Sequence, residues 1–396
     1  MRTRLRRLPA RARPATYLLV ALAACAATAC SAGGLMEPAA GQEPAASSSA
    51  EASSGDPAPG ANPGAGGDAV ATPPPGGPSV EISAVGDVVM GAAPELPPDD
   101  GRRLFDAVAD QLTGAVVLAN LDQALTDLAT STKCGGDSAG CYAFRTPPSF
   151  AEALRAAGFT VINLANNHSR DFGQAGLRDT RAALTRAGLA YTGMPGQITM
   201  QRVGELRVAI VGFAPYGWTQ SLLDVPAARE LVGRAADVAD VVLVTIHAGA
   251  EGRDQSHVRP GSEIFLGEDR GDPIAFSHAV IDAGADAVLG AGPHVLRGME
   301  WYRGRLIAYS LGNFTGYATL SNDGPAGIGA VLTLRLAADG TWDAGNLVGT
   351  VMVDPGVPEL DPAQQALDMV RSLSRTDFGG CGVELSPAGE LGEPTC

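Results

Sequence analysis

Five apolar runs in this 396-residue chain each stop on a side chain able to bind a metal ion. VEISAVGD ends at Asp87, and AVVLANLD carries Asn120 and Asp122. FTVINLANNH ends in Asn166, Asn167 and His168, ADVVLVTIH at His247, and ADAVLGAGPH at His294. Carboxylate, carboxamide and imidazole together make the donor set of zinc, manganese and iron sites. The two oxygens of Asp122 suit a bridge between two ions, with Asn120 orienting it through a hydrogen bond. Two amides and an imidazole are costly to place beside a core without partners. Asn166, Asn167 and His168 therefore read as functional, with His168 an acid or oxyanion donor. The competing reading of each Asp and Asn is a cap or a turn. Asn313, which closes YSLGNF, fits a hydrogen bond to the site and a turn equally well. His257 and His278 fall in a loop and a helical pattern and read as bystanders.

The five runs are of strand length and rich in Val, Ile, Leu and Ala. Helical patterns alternate with them: Arg102–Leu112, FAEALRAAG capped by Ser149, Gln174–Ala187, Pro226–Ala239 and Ile274–Ala283. Gly158, Gly188 and Gly284 supply the stops. The alternation predicts an α/β fold with a largely parallel inner sheet, and ligands of such sheets bind beyond the carboxyl ends of the strands. From Met299 the style changes. WYRGRLIAYS reads as strand, turn, strand, and Ile328–Leu336 pairs with Leu347–Val353 through Asp339–Gly340. These strands predict a second, antiparallel sheet packed on the first.

The N-terminus carries six arginines and no acid before Pro14, then an apolar stretch too short to span a bilayer. Residues 1–24 read as a signal peptide. LAAC looks like a lipobox, which would put a lipid on Cys25; ATAC at Cys30 and plain secretion are the alternatives. Residues 25–79 are an Ala/Pro/Gly/Ser linker that cannot bury a core. Residues 80–355 form the domain and 356–396 a C-terminal extension. The expected location is the outer face of the cell membrane or the cell envelope, with membrane contact through the lipid anchor only. With 28 basic against 43 acidic residues, a net charge of −15 and the single lysine Lys133, the chain is a poor partner for nucleic acid or anionic membrane. Cys134, Cys141, Cys381 and Cys396 are an even set in an exported chain, which suggests disulfides. The first two flank GGDSAG and the last two bracket the tail; free or otherwise paired thiols stay open.

At these residues the chain resembles the CapA family, named for poly-γ-glutamate capsule synthesis and related to calcineurin-like metallophosphoesterases. The matching pieces run in family order: AVGDVVMG, ANLDQALT, GFTVINLANNHSRDFGQAGLRDT, IHAGAE, GADAVLGAGPHVLRGME and YSLGNF. The resemblance implies a four-layer αββα sandwich with a centre of one or two divalent ions (Mn, Zn or Fe). Asp87 and His294 would hold one ion, Asn167 and His247 the other, Asp122 would bridge, and His168 would protonate a leaving group. Three positions depart from the pattern: Val89 where the wider superfamily has His, Asp122 where CapA proteins have Glu, and Ala291 in GAGPH where GHxPH is usual. Glu251 is the first candidate to compensate for Ala291. The implied activity is a metal-dependent step on a cell-envelope polymer or its precursor, within a capsule synthesis complex. A non-catalytic relative that tethers an anionic polymer, aided by Arg145, Arg170 and Arg297, is the alternative. An ordinary secreted phosphodiesterase is a third reading.

Overall fold

A computed structural model describes residues 77–134 and 141–396 of the chain. The leader, Cys25, Cys30 and the linker through residue 76 lie outside the described residues. No helix among the described residues is long and apolar enough to cross a membrane.

The chain first lays down β1 (Ser79–Val89), β2 (Val116–Leu121), β3 (Val161–Asn163) and β4 (Ala190–Thr192), all mutually parallel. It then crosses to a second sheet with β5 (Thr199–Val203), β6 (Leu206–Phe213), β7 (Val241–His247), β8 (Ala287–Ala291), β9 (Met299–Tyr302) and β10 (Arg305–Ala308). Finally it returns to the first sheet with β11 (Asn313–Gly316), β12 (Ile328–Ala337), β13 (Trp342–Val353) and β14 (Val357–Leu360). The sheet orders are β14-β13-β12-β1-β2-β3-β4, with β11 also beside β1, and β9-β10-β8-β7-β6-β5. The C-terminal strands therefore do not build a sheet of their own. They finish both sheets: β12 pairs antiparallel with β1, while β10 pairs parallel with β8 and carries β9 antiparallel on its outer side.

Strand alternation explains the layers. Val80, Ile82 and Ala84 of β1 face Val208 and Ile210 of β6 and Val241 and Leu243 of β7 in one inter-sheet core. On the far side of the first sheet, Val117, Ala119 and Leu121 pack against α1 (Ala151–Ala156) and α2 (Gly173–Arg186). On the far side of the second, Val242, Val244 and Ile246 pack against α3 (Val225–Ala236) and α4 (Pro273–Ile281). The result is the αββα sandwich. Both α3 and α4 start on an Asp followed within two residues by Pro. Asp224 accepts from the Ala227 amide and Asp272 from the Ala275 amide.

Three local expectations change. Residues 102–112 bury Leu104, Phe105, Val108 and Leu112 but do not form an α-helix. Their backbone closes i→i+3 bonds such as Leu104 N to Gly101 O and Val108 N to Phe105 O. Ser149 makes no cap; it lies in a 3-10 turn, Pro148–Phe150, that feeds α1. A fifth helix, α5 (Gln365–Phe378), stands in the segment read as an extension. Its Ala366, Leu367 and Val370 enter the inter-sheet core, so residues beyond 356 belong to the same packing unit. Disulfides join Cys134 to Cys141 and Cys381 to Cys396.

One close approach holds β1 in place. A Cβ on Gly86 would overlap the Gly312 carbonyl, which accepts the Asp87 amide at 2.9 Å. Gly86→Ala should lower unfolding free energy by about 1–3 kcal/mol. Gly217→Ala, where a Cβ meets open space, should be near neutral. Denaturant melts of the two variants check this.

Candidate metal centre

Asp87 lies within β1, two residues before its end, and pairs in register with Asn120 of β2. The ladders of β1 slip on both sides of Asp87, and such irregularities re-aim a side chain. Asp122 follows β2 directly, and Asn166, Asn167 and His168 lie in the loop after β3. His247 is the last residue of β7, paired with Ala291 at the end of β8. His294 follows three residues later at φ 59°, a conformation non-glycine residues seldom take. The first sheet thus supplies carboxylates and amides, the second imidazoles, and they meet across the seam.

Ligand atoms of Asp87, Asp122 and His247 lie within 4.8 Å of one another. His247 Nδ1 is 3.5 Å from Asp87 Oδ1 and 4.0 Å from Asp122 Oδ1. His294 Nδ1 is 2.8 Å from Asn313 Oδ1 and 3.2 Å from Asp87 Oδ2. That leaves His294 Nε2 facing Asp122 Oδ2 at 3.7 Å and Glu251 Oε2 at 3.8 Å. Asp87 is anchored further by the Gly292 amide at 3.1 Å. A Cβ on Gly292 would sit 3.1 Å from the His247 ring. Both Asp122 oxygens and Asn167 Oδ1 are buried without a hydrogen-bond partner among the described residues. A buried carboxylate without donors is expensive, and a divalent cation is the group that would satisfy it. The residues therefore fit a metal.

Asn120 serves Asp87 rather than Asp122. Its Nδ2 donates to Asp87 Oδ1 at 2.7 Å and lies 3.1 Å from His247 Nδ1, while its Oδ1 accepts from Asn163 and Asn166. Asn166 is a turn residue: its Oδ1 accepts the His168 and Ser169 amides and its Nδ2 donates to Leu121 O. Asn313 holds His294 and also donates to the His294 and Ala326 carbonyls. Glu251 stands at the centre, 2.6 Å from Arg270 Nη1 and 3.4 Å from Asn167 Nδ2. His168 stacks on Phe144, with Nδ1 2.7 Å from Asp171 Oδ2. Of the three arginines, Arg170 lines a cavity here, over Trp218. Arg145 lies over Phe172, and Arg297 is spent on Glu263 at 2.7 Å. His257 pairs with Asp377 and His278 with Glu300, away from the centre.

Burial alone would push Asp87 up, but the charges and hydrogen bonds of His294 and His247 outweigh it and hold Asp87 well below the usual carboxylate range. Burial likewise pulls His294 down, yet Asp87, Glu251 and Asp122 push it up to about 10. Sequence reasoning missed Arg270, Lys133 and Asp171. Asp171, three residues after His168 in NHSRD, carried a readable spacing. Lys133, 3.0 Å from Asp171 Oδ1, and Arg270 carried none: Lys133 arrives on an irregular loop and Arg270 directly after a hairpin of two-residue strands.

With this geometry in view, the similarities are specific. The family model for bacterial capsule synthesis protein PGA_cap matches residues 81–317. The chain belongs to that family. The chain is 34% identical over 183 residues to the capsule biosynthesis protein CapA of Bacillus anthracis, covering 41% of each chain. It is 32% identical over 182 residues to the PGA biosynthesis protein CapA of Bacillus subtilis, covering 41% of this chain and 44% of that one. It thus spans about two-fifths of the length of these relatives. Similar solved structures include a hypothetical protein from Thermus thermophilus, with 18% identity, TM-score 0.41, and coverage of 68% of this chain and 98% of that one. The NAD nucleotidase of Haemophilus influenzae gives 12% identity, TM-score 0.39, and coverage of 74% and 63%.

Because metal must replace the proton on His294 Nε2, ion uptake at pH 7.5 should release about one proton. Below pH about 10, affinity should rise with pH. Calorimetric titration with Mn²⁺ in buffers of different ionisation enthalpy reads the proton count directly. A count near zero would remove His294 from the ligand set.

Proposed function

We propose that this PGA_cap family chain is an exported, lipid-anchored, metal-dependent enzyme acting on a cell-envelope polymer of the poly-γ-glutamate type or its precursor. The observation that carries the metal dependence is Asp122, buried between Asp87, His247 and His294 with neither oxygen partnered among the described residues. The polymer class is supported by the family and by the names of the relatives, CapA proteins of capsule and PGA biosynthesis. A divalent cation in such a site supplies Lewis-acid polarisation of the oxygen under attack and acidifies water.

The chain's own residues supply the rest. His168 has Nδ1 engaged by Asp171, so a proton in transit to a leaving group sits on Nε2. Lys133 Nζ, 3.3 Å from His168 Nδ1 and 3.0 Å from Asp171 Oδ1, steadies the same pair. A cavity of about 310 Å³ beside Asn167 is lined by Lys133, Arg170, Tyr216 and Trp218. Its two cations, set against one carboxylate, Glu268, which accepts from the Tyr216 hydroxyl at 3.3 Å, offer an anionic substrate group two positive charges on an otherwise acidic chain. Its stacked aromatic pair, Tyr216 and Trp218 with centroids 4.9 Å apart, forms an apolar wall.

The test is a panel of phosphomonoester, phosphodiester and γ-glutamyl substrates with the Mn-, Zn- or Fe-loaded protein. His168→Ala should lower turnover about 10²–10⁴-fold with metal content and melting temperature unchanged. Retained activity removes His168 from the mechanism. Silence of the whole panel with loaded metal favours the polymer-tethering alternative.

A further inference from the structure

Arg270 is the largest feature of the centre that the family reading does not use. It is 1% exposed. The short hairpin of Ile264–Phe265 and Glu268–Asp269 delivers it. Its backbone is bolted to both flanks of the site: its carbonyl accepts the Gly249 amide at 3.0 Å, two residues past His247, and its amide donates to Glu263 O at 2.8 Å. Its guanidinium lies 5.7 Å from the Tyr216 ring centroid and 5.9 Å from that of Phe265, a cation–π cradle. Nη1 is 2.6 Å from Glu251 Oε1, Nη2 is 3.3 Å from His247 Nε2, and Nε has no hydrogen-bond partner among the described residues. Burial opposes its charge, but Glu251, Tyr216 and Glu268 together outweigh burial and raise its pKa above the ordinary value.

This places a permanent positive charge on the side of His247 away from Asp87 and Asp122. A guanidinium donates and cannot ligate, so His247 Nε2 accepts from it and Nδ1 is left to face the two carboxylates. Ala291, paired with His247 across the strand ends and buried at 2%, cannot bind an ion. An ion bound by Asn167 and His247 and sharing Asp122 would lack a ligand at Ala291, and Glu251, the carboxylate that could replace it, is taken by Arg270 at 2.6 Å, whose charge would also repel that ion. On the other side, Asp122 Oδ2 faces His294 Nε2 at 3.7 Å, Asp87 Oδ2 lies 3.2 Å from His294 Nδ1, and the arginine contacts neither carboxylate among the described residues.

We propose that Arg270 takes the place of a second cation, so that this centre binds one divalent ion, on the Asp87, Asp122 and His294 side. The inference rests on the metal-centre reading and narrows it from one or two ions to one.

The test counts metal. Full-length protein is stripped with chelator, reloaded with Mn²⁺ and freed of excess. Mn per chain is then measured by plasma mass spectrometry, and the spin state by electron paramagnetic resonance. Wild type should carry one equivalent with a six-line mononuclear signal. Ala291→His alone should still carry one, because the guanidinium remains. Ala291→His with Arg270→Met should carry two, with an exchange-coupled signal. Two equivalents in wild type, or two in Ala291→His alone, overturn the proposal and leave the metal reading standing. None in wild type overturns the metal reading itself, and the proposal with it. Should the double variant fail to fold, the wild-type and Ala291→His counts still decide.

Discussion

The buried negative charge of Asp122 is the constraint around which the rest of this structure is arranged. Its neighbour Asp87 is accounted for: Asn120, the Gly292 amide and His294 all engage it. Asp122 is not, since both of its oxygens are hidden from water and unpartnered among the described residues. Desolvating a carboxylate costs several kcal/mol unless an opposite charge compensates. Arg270 is too committed to Glu251 to be that charge. Without metal the nearest positive charge is the His294 imidazolium, whose Nε2 is 3.7 Å from Asp122 Oδ2 and beyond hydrogen-bond reach; a divalent ion would engage Asp122 directly in its place.

That position exists because two sheets meet there. The first sheet delivers Asp87 through an irregular stretch of β1, which Gly86 lets approach Gly312. The second delivers His247 at the end of β7 and His294 after β8. Inter-sheet packing of Ile82, Leu118, Ile210 and Leu243 fixes the distance between the halves. α5 inserts Ala366, Leu367 and Val370 into the same core. Residues far along the chain from any ligand therefore contribute to the ligand geometry, and core packing carries the preorganisation a metal site needs.

Much of this is legible in the residues. The strand-end pattern locates Asp87, Asp122, Asn167, His247 and His294 on one rim, because buried parallel strands read as continuous apolar runs. Helices closed by Gly158, Gly188 and Gly284 are equally visible. What is not legible follows from tertiary context. Asn120 reads as a partner of Asp122, two residues on, yet strand register turns it to Asp87. Asn166 reads as functional but satisfies a turn. The 102–112 segment shows a helical face, and i→i+3 winding serves the same burial. Arg270 is invisible because nothing in GEDRGDP marks an arginine for the interior; only the hairpin that carries it does so. The leader, the lipid on Cys25 and the linker remain expectations of sequence alone.

The most direct test of the central claim compares thermal stability of metal-free and Mn-loaded protein, wild type against Asp122→Asn. If an uncompensated carboxylate is what the cation satisfies, the metal-free Asp122→Asn protein should melt above metal-free wild type. Mn²⁺ should then raise the wild-type melting temperature and leave the variant unmoved. Equal metal-free stabilities, together with no shift of wild type on adding Mn²⁺, would contradict the account.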